Sequence, residues 1–325
     1  MTDFIIEPFE IGRASFCSNL VMAPVAGTTA APFRSLCRHF GAGLTVGELT
    51  SAAGIIYDAD WQKNRRYLTV ADDASADCVQ LFGADPKQMA DAVRRLRQHP
   101  EYGKYALIDI NMGCPVPKVM KTGAGAALMG KPVLAAEMVK RVVQAADGVP
   151  VTAKIRSGLD EAQINAPELA RMLEAAGASA ITVHARTAVQ RYSGKADLDV
   201  IGRVRESIRI PLIGSGDLAV TADLARMKDA AGVDAFMIGR AAIGMPWIFS
   251  ELRGQAVSEA KKGQALITLV NGMVQLLGER TALAELRTQL GAAVRGRKDA
   301  SVCRQRLFGA DSAAELMRQI EACFG

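Results

Sequence analysis

One cysteine stands at a position where its thiol could take part in a reaction. Cys114 lies in the segment 111–115 (Asn-Met-Gly-Cys-Pro), directly after the apolar run 106–110. The glycine and proline beside it predict a stiff turn that presents the thiol beyond the end of a strand. A thiol with the ordinary pKa of about 8.5 is mostly protonated at neutral pH, so Cys114 has the chemistry of a nucleophile or a proton donor. The other cysteines are widely spaced without a CxxC pair and are typical of buried free thiols, which indicates neither a zinc site nor a disulfide framework.

Two glycine turns indicate a site for a phosphate group. The segments 214–217 (Gly-Ser-Gly-Asp) and 238–240 (Ile-Gly-Arg) each continue an apolar run. Glycine lets the backbone approach a ligand closely, and amides at such turns can point at an anion. Turns also contain glycine where no ligand binds, but the cation after the second turn favours a phosphorylated cofactor such as FMN. The residues predicted to contact it are Ser215, Gly216, Asp217, Gly239 and Arg240.

Three polar side chains near the ends of other runs have the chemistry to contact the ring of such a cofactor. Lys154 either reaches past apolar surface to water or stabilises the negative charge that accumulates on a reduced flavin. Gln80 can donate and accept hydrogen bonds at the pyrimidine edge of the ring. His184 is one of three histidines in the chain and lies two residues before Arg186, so we interpret it as functional rather than structural.

The elements that must position these residues alternate along the chain. Eight short apolar runs are separated by stretches of helical periodicity, which predicts a parallel sheet. The runs are 20–23, 44–47, 78–81, 106–110, 151–155, 180–183, 211–213 and 235–238, and the helix candidates include 85–98, 132–146, 166–176 and 221–231. An open doubly wound sheet would carry GxGxxG in its first turn, which here reads Pro-Val-Ala-Gly (24–27). We therefore predict an α/β fold, a (β/α)8 TIM barrel, within residues 1–249, followed by a small all-helical C-terminal domain at 250–325.

The predicted C-terminal domain contains helix candidates at 266–277, 282–294 and 312–323 and a concentrated positive charge. Its stretch 286–307 contains one acidic residue, Asp299, against six cations: Arg287, Arg295, Arg297, Lys298, Arg304 and Arg306. This local excess equals the net charge of the whole chain, +5. The stretch is either a solvated helical face or a surface that contacts phosphate groups.

Composition narrows the class of protein. A chain of 325 residues that is 50% hydrophobic can bury a large core, and the low aromatic content with 30 glycines disfavours an all-β fold. The first residues lack the basic and apolar regions of a signal peptide, and no run is long enough to span a bilayer. We expect a cytoplasmic protein without membrane or metal sites, acting as a monomer.

Six segments together resemble the flavin-dependent tRNA-dihydrouridine synthases, and the likeness is strongest to the bacterial B-type branch. They occur in the family's order. The segments are 22–27 (Met-Ala-Pro-Val-Ala-Gly), 80–83 (Gln-Leu-Phe-Gly), 109–115 (Asp-Ile-Asn-Met-Gly-Cys-Pro), 153–156 (Ala-Lys-Ile-Arg), 183–187 (Val-His-Ala-Arg-Thr) and 237–242 (Met-Ile-Gly-Arg-Ala-Ala). The Asn-Met-Gly-Cys-Pro element is highly specific.

The resemblance implies FMN at the mouth of a TIM barrel and reduction of a flipped-out uridine in tRNA. NADPH, or NADH in its place, would reduce the flavin, hydride would pass from flavin N5 to C6, and Cys114 would deliver a proton to C5. The implied FMN contacts are Pro24, Val25, Ala26, Gln80, Lys154, His184, Ser215, Gly216, Asp217, Gly239 and Arg240. The implied substrate contacts are Asn111, Arg186, Arg287, Arg295 and Arg297.

Two departures from the family leave alternatives open. Ser215 stands where the family usually has Asn, and the segment 287–293 (Arg-Thr-Gln-Leu-Gly-Ala-Ala) lacks the usual Arg-Lys-His and the following Trp-Tyr pair. The alternatives are an FMN-dependent barrel that reduces a free pyrimidine or an enone, the same chemistry on ribosomal RNA, and an RNA-binding protein whose flavin site is residual.

Overall fold

Eight parallel strands close into a barrel in the computed structural model, which describes residues 6–325. The strands are β1 (Leu20–Met22), β2 (Leu44–Val46), β3 (Asp77–Phe82), β4 (Leu107–Asn111), β5 (Val151–Arg156), β6 (Ala180–His184), β7 (Leu212–Ser215) and β8 (Ala235–Ile238). Each strand pairs with the next one along the chain, and β8 pairs with β1. A two-residue strand, Thr50–Ser51, extends the sheet beside the end of β3. The predicted TIM barrel is confirmed, and every predicted run overlaps one of its strands.

Helices follow the strands and cover the outside of the barrel. They include α1 (Ala31–His39), α2 (Ala52–Tyr57), α3 (Pro86–Gln98), α4 (Pro132–Ala145), α5 (Ala166–Ala175), α6 (Leu198–Ser207), α7 (Thr221–Ala231) and α8 (Ile248–Glu251). Local sequence sets their ends. The Asp85 carboxylate accepts a hydrogen bond from Gln88 N at 2.7 Å and caps α3, while Gly232 in the left-handed region ends α7.

The barrel interior has an apolar lower layer and a polar upper layer. Successive side chains of a strand point to opposite faces, so every second residue of β5 faces inward. These are Thr152, Lys154 and Arg156, at the end of the barrel where the chemistry is expected. Below them, Leu107 and Ile213 belong to a buried apolar cluster. The pattern explains why Lys154 faces the barrel interior rather than the outer surface.

A β-hairpin that the sequence analysis did not predict covers the amino end of the barrel. Its strands, Phe9–Ile11 and Ala14–Phe16, pair antiparallel. The rings of Phe9 and Phe16 lie 5.1 Å apart, and both join the apolar cluster formed by the lower layer of the strands. The hairpin therefore closes the amino end with apolar side chains.

Four helices complete the chain: α9 (Glu259–Leu277), α10 (Glu279–Ala293), α11 (Ala300–Gly309) and α12 (Ala313–Phe324). The helical character of this region is as predicted, although α11 was not recognised as a separate helix. Both oxygens of the Glu285 carboxylate accept hydrogen bonds from Arg66 of the barrel. One continuous hydrophobic core includes residues from the strands and from all four helices, so the division at residues 249 and 250 stays a prediction.

Three further features of the chain between Ile6 and Gly325 concern membrane spans, metal sites and disulfides. In this part, none of the helices combines the length and the apolar character needed to cross a bilayer. No three His, Cys, Asp or Glu side chains there are grouped in a way that could hold a metal ion. All six cysteines are free.

Candidate active site

A cavity of about 510 Å³ opens at the carboxyl ends of the strands. It brings together most of the predicted cofactor residues with one arginine from the helical region. The predicted residues that line it are Pro24, Val25, Lys154, His184, Ser215, Gly216, Asp217, Gly239, Arg240 and Arg295. Ala26 lies in the same turn as Pro24 but is exposed and does not line the cavity.

The strand register explains this convergence. Ser215, the last residue of β7, lies opposite His184 of β6 and Met237 of β8. Asn111, the last residue of β4, lies opposite Lys154 of β5. Because parallel strands end at one edge of a sheet, residues distant in sequence form one polar layer.

The cavity is electrostatically positive. Burial, together with the nearby Arg156 cation, lowers the pKa of Lys154 from 10.5 to about 8. Burial and four surrounding cations lower the pKa of His184 to about 2, so its imidazole is neutral at physiological pH. The Lys154 ammonium group makes no ion pair or hydrogen bond with another residue in the range 6–325. A partly buried, unpaired ammonium group next to other cations suits an anionic ligand.

The turn after β7 requires glycine and holds two arginines. Gly216 has a φ of +131°, and a Cβ at this position would lie 2.8 Å from the Cβ of Ala196. The carboxylate of Asp217 accepts hydrogen bonds from Arg186 at 2.7 and 2.9 Å and from Arg240 at 3.0 Å. Asp217 therefore orients two guanidinium groups. A Cβ on Gly239 would meet only the side chain of Ala23, at 3.7 Å, so the backbone of the second turn is accessible from the cavity.

Arg186, predicted to contact substrate, lies beneath the turn and is 2% exposed. Its Nε donates to Ser193 O at 3.1 Å and its Nη2 to Gly194 O at 2.6 Å. The remaining nitrogen, Nη1, is buried without a hydrogen-bond partner among the residues that the structure describes. This atom lies 3.8 Å from the point where a Cβ on Gly216 would be, and is therefore an unused donor beside the glycine turn.

The turn that carries Cys114 is fixed by backbone contacts on both sides. Gly113 O accepts a hydrogen bond from Arg156 Nε at 2.7 Å, and Cys114 O accepts one from Ala126 N at 3.0 Å. The side chain of Asn111 caps the turn, because its Oδ1 accepts from Gly113 N at 3.2 Å and from Cys114 N at 2.9 Å. The thiol is half-buried. The predicted stiff turn is present, and Arg156 helps to hold it.

Gln80 and Asn111 lie together beneath this turn. Asn111 Nδ2 donates to Gln80 Oε1 at 2.8 Å, and Gln80 Nε2 donates to Asp109 Oδ2 at 2.7 Å. Gln80 is fully buried and does not line the cavity. Burial raises the pKa of Asp109, and hydrogen bonds from Thr152 and Gln80 oppose that rise.

The three arginines predicted to bind RNA have different surroundings. Arg295 lines the cavity and Arg287 is exposed. Arg297 forms an ion pair with Glu259, and its Nη2 donates to Cys323 O at 2.6 Å. Its guanidinium group is thus engaged within the helical region, away from the cavity.

Tyr192 was missed by the sequence analysis. Its side chain is 58% exposed, lines the cavity, and has Arg240 Cζ at 5.2 Å from the ring centroid. It also lines a second groove of about 890 Å³ beside Pro115 and Lys121. An aromatic residue in a loop that follows a barrel strand is the signal that could have identified it.

A (β/α)8 barrel with a positive cavity and a displayed thiol at its carboxyl end is the arrangement of a barrel enzyme that binds an anionic ligand. The family model for dihydrouridine synthase matches residues 21–324. The chain belongs to this family.

Named relatives agree with this assignment, and a solved structure shares the fold. The chain is 42% identical over 243 residues to tRNA-dihydrouridine synthase B of Escherichia coli strain K12, which covers 75% of this chain and 74% of the relative. It is 37% identical to the enzyme of the same name from Vibrio parahaemolyticus, with 97% of this chain and 98% of the relative covered. These likenesses support the bacterial B-type branch. Old yellow enzyme from Trypanosoma cruzi shares the fold, with a TM-score of 0.53, 15% identity, and 77% and 91% of the two chains covered.

Proposed function

We propose that this protein reduces uridine to 5,6-dihydrouridine in tRNA, with FMN as cofactor, NADPH as reductant and Cys114 as proton donor. The observation that carries the proposal is that Lys154, which lines the positive cavity, lies opposite Asn111, whose side chain caps the turn that carries Cys114. The names of the relatives supply the substrate class, since the geometry by itself is equally compatible with other flavin chemistry.

The residues of the cavity fit FMN. Its glycine turns leave backbone accessible at Gly216 and Gly239, and Arg186 Nη1 is a buried donor without a protein partner beside them. These groups and Arg240 would hold the phosphate, and Lys154 would face the part of the ring where negative charge accumulates. The chemistry that FMN supplies when bound is hydride donation to C6 of uracil, with electrons from NADPH. NADH would supply the same electrons.

The side chains of this protein supply the proton and the electrostatics. Cys114 gives its proton to C5, and the resulting thiolate regains a proton from solvent, so one hydride and one proton saturate the double bond. Lys154 stabilises developing negative charge in a site with few compensating anions. His184 is neutral and can act as a hydrogen-bond donor or acceptor without contributing charge.

The helical region is proposed to bind the RNA. Arg295 reaches the cavity from this region, so a nucleic acid bound there would lie next to the reacting base. Arg287 is exposed and would contact a phosphate further along. We retain residues 1–249 as the FMN-binding catalytic unit and 250–325 as the RNA-binding unit. We also propose a monomer that acts in the cytoplasm, where tRNA is used.

The proposal is tested with purified protein, FMN, NADPH and unmodified tRNA, with dihydrouridine measured by mass spectrometry. Product from tRNA, and loss of dihydrouridine from a deletion strain, are the expected results. Unreduced tRNA together with unchanged cellular dihydrouridine would overturn the proposal. Flavin reoxidation by free uracil or an enone would support a small-molecule reductase, and product only in ribosomal RNA would reassign the substrate. If the purified protein did not bind FMN, that result would indicate that its flavin site is residual.

A further inference from the structure

We propose that Asp109 is a positioning residue for Cys114, acting through Gln80 and Asn111. Asp109 is the third of the five residues of β4 and is 4% exposed. It lies below the turn and does not line the cavity. The effect of Asp109 on catalysis rests on the proposed function, whereas its effect on the Cys114 turn does not.

The hydrogen bonds that join Asp109, Gln80 and Asn111 have a direction that is fixed at their upper end, where Asn111 meets the turn. The backbone amides of Gly113 and Cys114 can only donate, so the side chain of Asn111 must turn its oxygen toward them. Its amide nitrogen then faces Gln80, which must present its oxygen. The amide nitrogen of Gln80 therefore lies at the lower end, where it needs a hydrogen-bond acceptor.

The carboxylate of Asp109 is that acceptor. Oδ2 accepts from Gln80 at 2.7 Å, and Oδ1 accepts from Thr152 Oγ1 at 2.6 Å. Because Oδ2 acts as an acceptor here, it permits only the orientation of Gln80 that the upper end requires. Without the acceptor, Gln80 and Asn111 could both reverse. Asn111 would then direct its nitrogen at the amides of Gly113 and Cys114, and the cap of the turn would be lost.

The experiment measures alkylation of Cys114 by iodoacetamide in the flavin-loaded protein without RNA, by mass spectrometry of the labelled peptides. Cys17 is exposed beside the hairpin at the other end of the barrel and serves as an internal reference. Asp109→Leu removes the acceptor and is expected to speed Cys114 alkylation about fivefold, the change in local opening that follows loss of one hydrogen bond. Thr152→Val is the matched control, because it removes the other bond to the carboxylate and leaves the bond from Gln80.

A second set of variants preserves volume in case Asp109→Leu does not fold. In Asp109→Asn the introduced amide can donate to Thr152 and still accept from Gln80, so alkylation should stay close to that of the unchanged protein. Combining Asp109→Asn with Thr152→Val removes the group that orients this amide. The combination should speed alkylation of Cys114 by more than the two single changes together.

The outcomes separate this proposal from the proposed function. Unchanged alkylation in Asp109→Leu, or additive effects in the combined variant, would overturn the positioning role. An equal effect of Thr152→Val and Asp109→Leu would also overturn it, since that result indicates general packing. In Asp109→Leu, product formation from tRNA should fall about 10- to 100-fold while flavin reduction by NADPH is retained. If the unchanged protein forms no product but alkylation responds as stated, the proposed function fails and the positioning role stands.

Discussion

Replacing Lys154 with methionine should stabilise the flavin-free protein while it weakens the proposed cofactor site. The side chain is partly buried beside the cation of Arg156, and desolvation together with that charge lowers its pKa from 10.5 to about 8. At about 1.4 kcal/mol for each pH unit, the charged form costs the folded state about 3 kcal/mol. Methionine has a similar length and no charge, so this cost is removed.

The pH dependence of the stability follows from the lowered pKa of Lys154. The folded protein releases the Lys154 proton near pH 8 and the unfolded chain near pH 10.5, so the unfolded chain binds more protons between these values. Stability of the unchanged protein therefore rises through that window, and the full cost of the charge is present below it. Lys154→Met should be more stable by up to about 3 kcal/mol at pH 7, with a smaller difference at pH 10.

Urea unfolding of flavin-free protein at pH 7 and pH 10 measures the difference. Lys140→Met is the control, because Lys140 is exposed on α4 and its replacement should barely change the free energy of unfolding. A less stable Lys154→Met protein at pH 7, or a difference that does not depend on pH, would refute the reasoning. In the same variant, affinity for FMN should fall, which a fluorescence titration detects.

Three further substitutions test the rest of the site. Cys114→Ala should leave flavin reduction by NADPH intact while product formation falls by at least about 100-fold, and equal loss of both half-reactions would contradict the proton-donor role. Gly216→Ala should reduce FMN content and cost about 1–3 kcal/mol of stability, since the residue has a φ of +131° and would contact Ala196; full FMN occupancy would argue against this turn as the phosphate site. Arg295→Ala should weaken tRNA binding and reduce its salt slope by about 1, whereas Arg297→Ala should lower the unfolding midpoint instead. Identical effects of the two arginine changes would remove the basis for separating them.

The barrel could be predicted because its signals are local. Each strand is a short apolar run, and the polar residue at its end is visible in the sequence before any pairing is known. Ser215, His184 and Lys154 were found in this way, and the register then places them around one cavity. Parallel pairing brings all strand ends to one edge, so recognising the barrel was sufficient to group them.

What the sequence could not provide was the partner of each polar side chain. Arg186 and Arg297 have the same chemistry as the arginines that face the cavity or solvent, but their guanidinium groups are bound to carbonyl oxygens within the protein. The proposed positioning role of Asp109 cannot be recognised from the sequence around it, because that role depends on contacts with strands β3 and β5. The hairpin at the amino end was missed because each strand has only three residues, too few for an alternating pattern to be recognised.

That hairpin also bears on the order of events in the proposed reaction. With Phe9 and Phe16 packed into the amino end, the described part of the chain leaves the opposite end as the route to the cavity. The nicotinamide and the nucleic acid would both have to reach the ring through this opening. They therefore cannot be bound over the ring together, and each must leave before the other arrives. Steady-state kinetics should accordingly follow a ping-pong pattern, with parallel lines in double-reciprocal plots.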